Sequence, residues 1–160
     1  MKRTVIRNLI LCAILMAICV TTPALAQDSC SLLTKADIQA VVGQPVGDGK
    51  LNMKANPAVG RPCEYIIGTS GVFSILMTAV RPGETPAKIR AELQKHKIAV
   101  SDAPGMADGS FFSSPGYGMI QLNSFKGSKY LIITMMIPGA NEATQKTAAE
   151  KLMKKALTKI

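Results

Sequence analysis

The chain has four cysteines, and the position of two of them inside an apolar N-terminal stretch limits the covalent framework of the rest. Three basic residues precede an apolar run over Leu9–Val20, and an Ala-Leu-Ala sequence ends at Ala26. A basic segment, a short apolar run and an Ala-x-Ala site are the parts of an export signal. The run has 12 residues, whereas a membrane-spanning helix needs about 20. We therefore predict that residues 1–26 are a cleaved signal peptide; an uncleaved anchor is the alternative.

Cleavage leaves two cysteines, Cys30 and Cys63, in a compartment that oxidises thiols. Two exported cysteines are normally bonded to each other, and only one connectivity exists. Closing a separation of 33 residues is expected to stabilise the fold by roughly 3 to 4 kcal/mol. A redox role is the alternative, but the spacing is not C-x-x-C and no histidine is adjacent. We predict a Cys30–Cys63 disulfide in a periplasmic or secreted protein.

The remaining residues, 27–160, predict a single domain. They are too few for two sizeable domains, but a chain of this length buries roughly two-thirds of its unfolded surface and so has a real core. Composition, with 48% hydrophobic and 18% charged residues, is that of a globular domain. The leader removes three of the 19 basic residues and none of the ten acidic ones, which leaves a net charge of +6.

Three segments have the start signals and apolar spacing of helices. The first is Leu32–Val42, with a capping box between Thr34 and Asp37. The second begins at Thr85-Pro86 and the third at Asn141. Their predicted buried stripes are, in order, Ile38, Val41 and Val42; Ile89, Leu93 and His96; and Ala149, Leu152, Met153, Ala156, Leu157 and Ile160.

Five segments are rich in β-formers and are separated by short turns. They are Cys63–Ile67, Val72–Val80, Ser110–Ser113, Gly118–Ser124 and Lys129–Ile137, with a further short strand allowed at Leu51–Lys54. The second strand is apolar on both sides, which predicts a central strand that is mostly covered on both faces. Ser101–Gly109 is predicted as a loop and Ser113–Gly116 as a turn. Because short turns join antiparallel strands, we predict an α+β fold of five to six antiparallel strands with three helices, in the order αββ(β)αβββα.

No constellation of residues indicates catalysis. His96 is the sole histidine and lacks a G-x-S-x-G partner motif, so we interpret it as a partly buried structural residue. No spacing pairs the carboxylates for glycoside chemistry; those near strand ends or loops are Glu64, Glu84, Asp102 and Asp108. No nucleotide motif occurs, and one histidine beside a bonded cysteine pair does not make a zinc site. We predict no cofactor and no metal.

Five lysines lie opposite the apolar stripe of the third helix, and they are Lys146, Lys151, Lys154, Lys155 and Lys159. A solvated helix face with cations near the negative end of the helix dipole is one interpretation. Weak contact with anionic envelope components is the other. Nucleic acid is not expected as a partner, because an exported protein is separated from the usual nucleic-acid targets. The chain also lacks the alternation of basic and aromatic residues that is typical of single-strand binding.

Several short motifs occur along the chain: Cys30-Ser-Leu-Leu-Thr34, Gly43, Cys63-Glu-Tyr65 and Gly105-Met-Ala-Asp108-Gly-Ser-Phe111. Together they resemble a group of small exported bacterial domains of unknown function, many of them lipoproteins. The group is similar in architecture to the extrinsic photosystem subunit PsbP and its relatives, which implies an antiparallel sheet with helices on both faces and an accessory, non-enzymatic role. This chain departs from the pattern at Ala107 and Ser110, where Gly and Ala are usual. It also lacks a lipobox, which favours a soluble protein.

These observations favour an exported, non-catalytic binding or accessory domain of the cell envelope, with no membrane-spanning segment after cleavage. Its partner is an envelope protein or a small ligand. A small envelope hydrolase is one alternative, and electrostatic adhesion through the lysine face is another.

Overall fold

The computed structural model describes residues 28–104, 106–107 and 109–160. The predicted signal peptide lies outside the described residues, as do Gly105 and Asp108. Within the described part, an antiparallel sheet packs against helices, which confirms the α+β fold class. The sheet has seven strands, so the predicted five to six is too few.

The helices are α1 (Lys35–Val42), α2 (Pro86–Lys95) and α3 (Glu142–Leu157). The strands are β1 (Lys50–Leu51), β2 (Cys63–Ile67), β3 (Gly71–Ala79), β4 (Ala99–Asp102), β5 (Phe111–Gly116), β6 (Met119–Lys126) and β7 (Lys129–Met136). Their order across the sheet is β1-β2-β3-β7-β6-β5-β4, and each neighbouring pair is antiparallel. The apolar strands β3 and β7 therefore lie in the middle, although hairpins connect each of them to a different neighbour.

The core lies between one face of the sheet and α3. As predicted, Ala149, Leu152, Met153 and Ala156 are fully buried there, while Leu157 and Ile160 are partly buried at its margin. The sheet contributes alternate residues of its two central strands, which are Phe73, Ile75, Met77, Leu131, Ile133 and Met135. Full burial of one large apolar side chain contributes roughly 1.5–3 kcal/mol, so this layer is the main source of stability.

Helix α1 begins three residues later than predicted, at Lys35. A 3₁₀ turn, Ser29–Ser31, comes first, and the chain then buries Leu32 and Leu33. The predicted capping box is confirmed: Thr34 N–H donates to the Asp37 carboxylate over 3.0 Å, and Asp37 N–H donates to Thr34 Oγ1 over 3.2 Å. Gly43 ends the helix with φ +68°, a conformation that glycine adopts readily. Of its predicted stripe only Ile38 is buried, and Val41 and Val42 remain partly exposed.

The predicted disulfide is confirmed. Cys30 and Cys63 are bonded, with a Cα–Cα distance of 4.9 Å. Cys63 is fully buried at the start of β2, and Tyr65 on the same strand donates its hydroxyl to Leu33 O over 2.6 Å. The segment before α1 is thus attached to the sheet by a covalent bond and a buried hydrogen bond.

Two predictions about the second half of the sheet are wrong. The predicted loop at Ser101–Gly109 begins within a strand, because β4 covers Ala99–Asp102 and pairs with β5. The predicted turn at Ser113–Gly116 belongs to β5, and the chain reverses at Tyr117 and Gly118 instead. The β5–β6 register shifts between Ser113 and Gly116. This irregularity accommodates Pro115, which has no N–H to donate to a neighbouring strand.

Candidate functional site

The second face of the sheet, opposite α1 and α3, is only partly covered. Along β3, Phe73, Ile75 and Met77 point into the core and are buried, whereas the alternate residues are half-buried. The predicted central position of this strand is confirmed, and its second face is covered in part. Its second face is apolar enough for burial, but the structure places α2 beside β4, at the far border of the sheet.

Helix α2 is held over that border by Arg90. Its guanidinium donates to Asp102 Oδ1 over 2.7 Å and to Ser110 O over 3.1 Å, and it lies 4.8 Å from the centroid of the Phe111 ring. Phe111 is fully buried beneath it. Helix α2 contacts β4 and none of its own residues is buried. On the same face of the sheet, Ile66 on β2 is exposed, and Val72 on β3 and Met136 on β7 are only partly buried.

We call the uncovered part of the second face the open face. It consists of seven side chains on four adjacent strands, none of them buried, which are Glu64, Ile66, Val72, Ser74, Gln121, Thr134 and Met136. Strand register arranges them in two rows that run across the sheet. Ile66, Val72 and Met136 are paired neighbours and form an apolar row.

The second row is polar and spans the same four strands. Glu64 pairs with Ser74, Ser74 with Thr134, and Thr134 with Gln121. At one end Glu64 accepts a hydrogen bond of 2.7 Å from the Asn52 side chain. At the other end Gln121 donates to Thr134 Oγ1 over 3.1 Å. This polar row therefore offers a carboxylate and two hydroxyl groups beside an apolar row.

A buried hydrogen-bond network that links β7, β6 and β5 fixes Gln121. Tyr130 donates to Asn123 Oδ1 over 2.6 Å, and Asn123 Nδ2 donates to Ser113 Oγ over 3.2 Å. Ser113 in turn donates to Gln121 Oε1 over 3.3 Å. Ser113 and Asn123 are almost completely buried. Since each partner is satisfied by the next, the amide of Gln121 is held in one orientation at the boundary between covered and open surface.

The phenol that starts this network stays protonated. Burial raises the pKa of Tyr130 well above its usual range, and the negative charge of Glu84 raises it further. Its ring also stacks on Phe125 with a centroid distance of 4.5 Å. Tyr130 is therefore a fixed hydrogen-bond donor to Asn123.

The candidate site residues from the sequence are dispersed. His96 is exposed, with 69% of its side chain accessible, and hydrogen-bonds Glu92 over 3.2 Å, so its predicted partial burial is wrong. Glu64 and Asp102 lie on strands separated by four others, about 24 Å apart at the usual strand spacing. Glu84 accepts from Arg81 N–H, and Asp108 lies outside the described residues. Glu64 and Asp102 are thus too far apart for the 5 to 10 Å that paired carboxylates require.

The five lysines of α3 and its C-terminal end do not form one uniform face. Lys146 pairs with Glu142 over 2.7 Å and lies over the Phe112 ring, and Lys155 pairs with Asp37. Lys159 hydrogen-bonds Ser31 O over 3.3 Å. Lys151 and Lys154 are exposed and have no hydrogen-bond or ion-pair partner within the part of the chain that the structure describes.

The open face and the role of Arg90 are not predicted from the sequence. The face formed by Val72, Ser74, Leu76 and Thr78 contains the signal, because hydroxyl groups at every second position of a face are unusual in a fully covered strand. The pairing of β3 with β7 assembles the rows, and the paired residues run from Ala79 with Lys129 to Val72 with Met136, fifty or more residues apart in the sequence.

Comparisons with protein-family models, with curated proteins and with solved structures find no match. The resemblance to exported domains of unknown function therefore stays a prediction. Among the residues that the structure describes, none of the helices has the length and apolar character that crossing a bilayer requires.

Proposed function

We propose that the protein is an exported, non-catalytic binding domain that holds a protein partner of the cell envelope against its open face. The observation that carries this proposal is the pair of rows on that face, one apolar and one polar. Gln121 in the polar row is positioned by a network whose other members are buried. Fixed hydrogen-bonding groups beside an apolar strip are the features from which specific interfaces are built.

A protein partner fits this face better than a small ligand does. The hollow on the open face, lined by Glu64, Ile66, Val72, Ser74 and Thr134 among others, has a volume of about 280 Å³. Pockets for small molecules are roughly 300–1,000 Å³ and enclose most of the ligand. A shallow surface that extends across four strands instead suits contact with the surface of another protein. Ile66, with 53% of its surface exposed, is the most accessible apolar residue of the face.

Site-specific photocrosslinking in the producing cell tests this proposal. We expect a crosslinking amino acid in place of Ile66 to give one discrete adduct. Met53, which is 64% exposed in the β1–β2 connection, is the matched control position and should not give that adduct. The adduct at position 66 should disappear when Thr134→Lys places a charge in the polar row, and it should survive Val59→Lys outside the face.

Loss of the adduct must occur without unfolding, so the melting temperature of each variant is measured alongside. No adduct at position 66, or the same adduct at position 53, would contradict the proposal. Turnover of ester, peptide or glycan substrates that His96→Ala or Glu64→Gln abolishes would favour the hydrolase instead.

A further inference from the structure

Several connections of the chain meet at one end of the sheet. The antiparallel register places the segments 52–62, 80–85, 103–110 and 126–129 at this same end. The C-terminal end of α3, residues 158–160, lies there too, because Lys126 Nζ donates to Leu157 O and to Ile160 O, each over 2.7 Å. We call these five segments the basic end, because of the charge that they carry.

Cations outnumber acids at the basic end. The cations are Lys54, Arg61, Arg81, Lys126, Lys129 and Lys159. The acids are Glu84, which accepts a hydrogen bond from Arg81 N–H over 3.0 Å, and Asp108, which lies outside the described residues. Asp28 lines the same hollow as Arg61. Within the part of the chain that the structure describes, neither of these two residues forms an ion pair, and nor do Lys54, Arg81 and Lys129.

The opposite end of the sheet carries little charge. Its segments are 43–49, 68–70, 96–98, 117–118 and 137–141, and their titratable side chains of acids and bases are those of Asp48, His96 and Lys97, beside the phenol of Tyr117. Asp48 is paired with Lys35 over 3.1 Å. Of the two ends of the strands, the basic end therefore has by far the larger excess of positive charge.

Exposed apolar side chains lie among the cations of the connection 52–62. Met53 is 64% exposed and Val59 is 40% exposed. Lys54 follows Met53 directly, Arg61 is two residues after Val59, and no acid occurs between Lys50 and Glu64. This connection therefore presents apolar surface and positive charge together, with no negative charge of its own.

The connection 52–62 has a defined shape. The Asn52 side chain accepts hydrogen bonds from the N–H groups of Lys54 and Ala55 over 2.9 and 3.1 Å. The Asn52 N–H donates to Pro62 O over 2.9 Å, and the next residue, Cys63, is in the disulfide. A preformed loop loses less conformational freedom when it binds than a flexible one does.

We propose that the basic end docks on an anionic lipid bilayer, with the connection 52–62 in the interfacial layer. Met53 and Val59 enter the boundary between headgroups and acyl chains, and Lys54 and Arg61 contact the lipid phosphates beside them. Cations from the other segments of the same end face the same plane of phosphates. Charge complementarity requires an anionic partner. The apolar side chains favour lipid over a soluble acidic polymer, which would leave them in water.

This orientation is compatible with the function proposed for the open face. Because the basic end lies at the ends of the strands, the strands point towards the bilayer and the open face is turned sideways. A protein partner can therefore reach the open face while the basic end is docked. The two proposals fail separately, since crosslinking at position 66 reports the partner and vesicle binding reports the bilayer.

Vesicle sedimentation with the purified protein tests the electrostatic part of the proposal. We expect the protein to sediment with vesicles of phosphatidylglycerol and phosphatidylcholine and not with phosphatidylcholine alone. Lys54→Ala should weaken binding about fivefold, the factor that corresponds to about 1 kcal/mol for one lysine near an anionic surface. Lys97→Ala, at the opposite end, is the matched control and should bind as the unaltered protein does. Loss of binding by the control to the same extent would overturn the proposal.

The apolar part is tested in the same assay. Met53→Ser should weaken binding about tenfold, which corresponds to roughly 1.5 kcal/mol for burial of a large apolar side chain. Tyr117→Ser is the matched control, because Tyr117 is 92% exposed at the opposite end, and it should have no effect. Binding to soluble polyglutamate as tight as binding to the vesicles would assign the basic end to an acidic polymer and overturn the bilayer.

Fluorescence reports insertion directly. The chain contains no tryptophan, so Met53→Trp and Tyr117→Trp each create a single tryptophan emitter. We expect anionic vesicles to shift the emission of the first to shorter wavelength and to leave that of the second unchanged. Absence of a shift at position 53, or equal shifts at both positions, would overturn the proposal. Because the substituted side chains are exposed, unchanged melting temperatures distinguish lost binding from lost folding.

Discussion

At the scale of single residues, the buried polar groups of this protein are arranged so that each has a defined partner. Tyr130, Asn123, Ser113 and Gln121 form one connected set across three strands. Such a set stabilises a unique arrangement only while every member is satisfied, because a buried donor or acceptor without a partner costs about 1–3 kcal/mol.

Tyr130→Phe should therefore lower the free energy of unfolding by about 1–3 kcal/mol, since it leaves Asn123 Oδ1 buried without its donor. Urea unfolding measures the change. Tyr117→Phe removes a hydroxyl from a ring that is 92% exposed and is the matched control, with no change expected. Equal effects of the two substitutions would show that the Tyr130 hydroxyl is not a structural donor.

Asp37 makes stability depend on pH. The hydrogen bond from Lys155, with the backbone N–H of Thr34, lowers the pKa of Asp37 from 3.8 to about 2. Because the folded pKa is the lower one, the carboxylate stabilises the fold above about pH 4, and this contribution disappears as the pH falls from 4 towards 2. Asp37→Asn should cost about 1 to 2 kcal/mol at neutral pH and much less near pH 2, where the carboxylate is largely protonated in the unfolded chain and about half protonated in the folded one, measured by urea unfolding across that range. Asp48→Asn, whose carboxylate is 84% exposed in its pair with Lys35, should have little effect at either pH.

At the scale of helices and strands, the sequence predicts those features that are determined by residues close together in the chain, such as helix starts and the buried face of a helix. Thr34 with Asp37 fixes the start of α1, and the apolar spacing of α3 identifies its buried face. The border strand β4 was missed because its four residues, Ala99–Asp102, have no alternation of their own and pair only through β5. The position of α2 on the sheet could not be predicted from a local sequence pattern either, because Arg90 sets it through contacts with the distant residues Asp102 and Ser110.

Arg90→Ala should release α2 while the core remains folded. The guanidinium makes two hydrogen bonds and covers Phe111, so we expect a loss of about 1–3 kcal/mol in unfolding free energy. Hydrogen exchange should show faster exchange over 86–98 and unchanged protection in α3. Lys95→Ala removes only an exposed ion pair with Glu92 and should leave both regions unchanged. Uniform loss of protection in the arginine variant would instead make α2 an integral part of the core.

At the scale of the whole molecule, the disulfide and the fold class follow from the sequence, whereas the open face does not. Removal of the predicted signal peptide leaves two cysteines with one possible connectivity, and short turns make strands antiparallel. The open face depends on β3 meeting β7 and on α2 covering only one border, and both are long-range outcomes of packing. Function is less predictable for the same reason, because its candidate surface exists only in the assembled sheet.

The Cys30–Cys63 bond should contribute roughly 3 to 4 kcal/mol to stability. Urea unfolding with and without reductant measures this contribution, and reduction should lower the midpoint. A variant with both cysteines replaced by alanine should already be destabilised and should not respond to reductant. An unaltered protein whose midpoint is the same in reductant would contradict the assignment.

The borders of the sheet have a consequence for self-association. Residues 71–80 and 130–141 contain no charge and have the composition from which fibrils grow. In the native molecule both stretches contribute the central strands, while the outermost strands have only two and four residues and give a foreign chain little backbone to extend. Precipitation should therefore begin from molecules that have lost the whole sheet, and its rate should follow the concentration of unfolded molecules, not that of native ones.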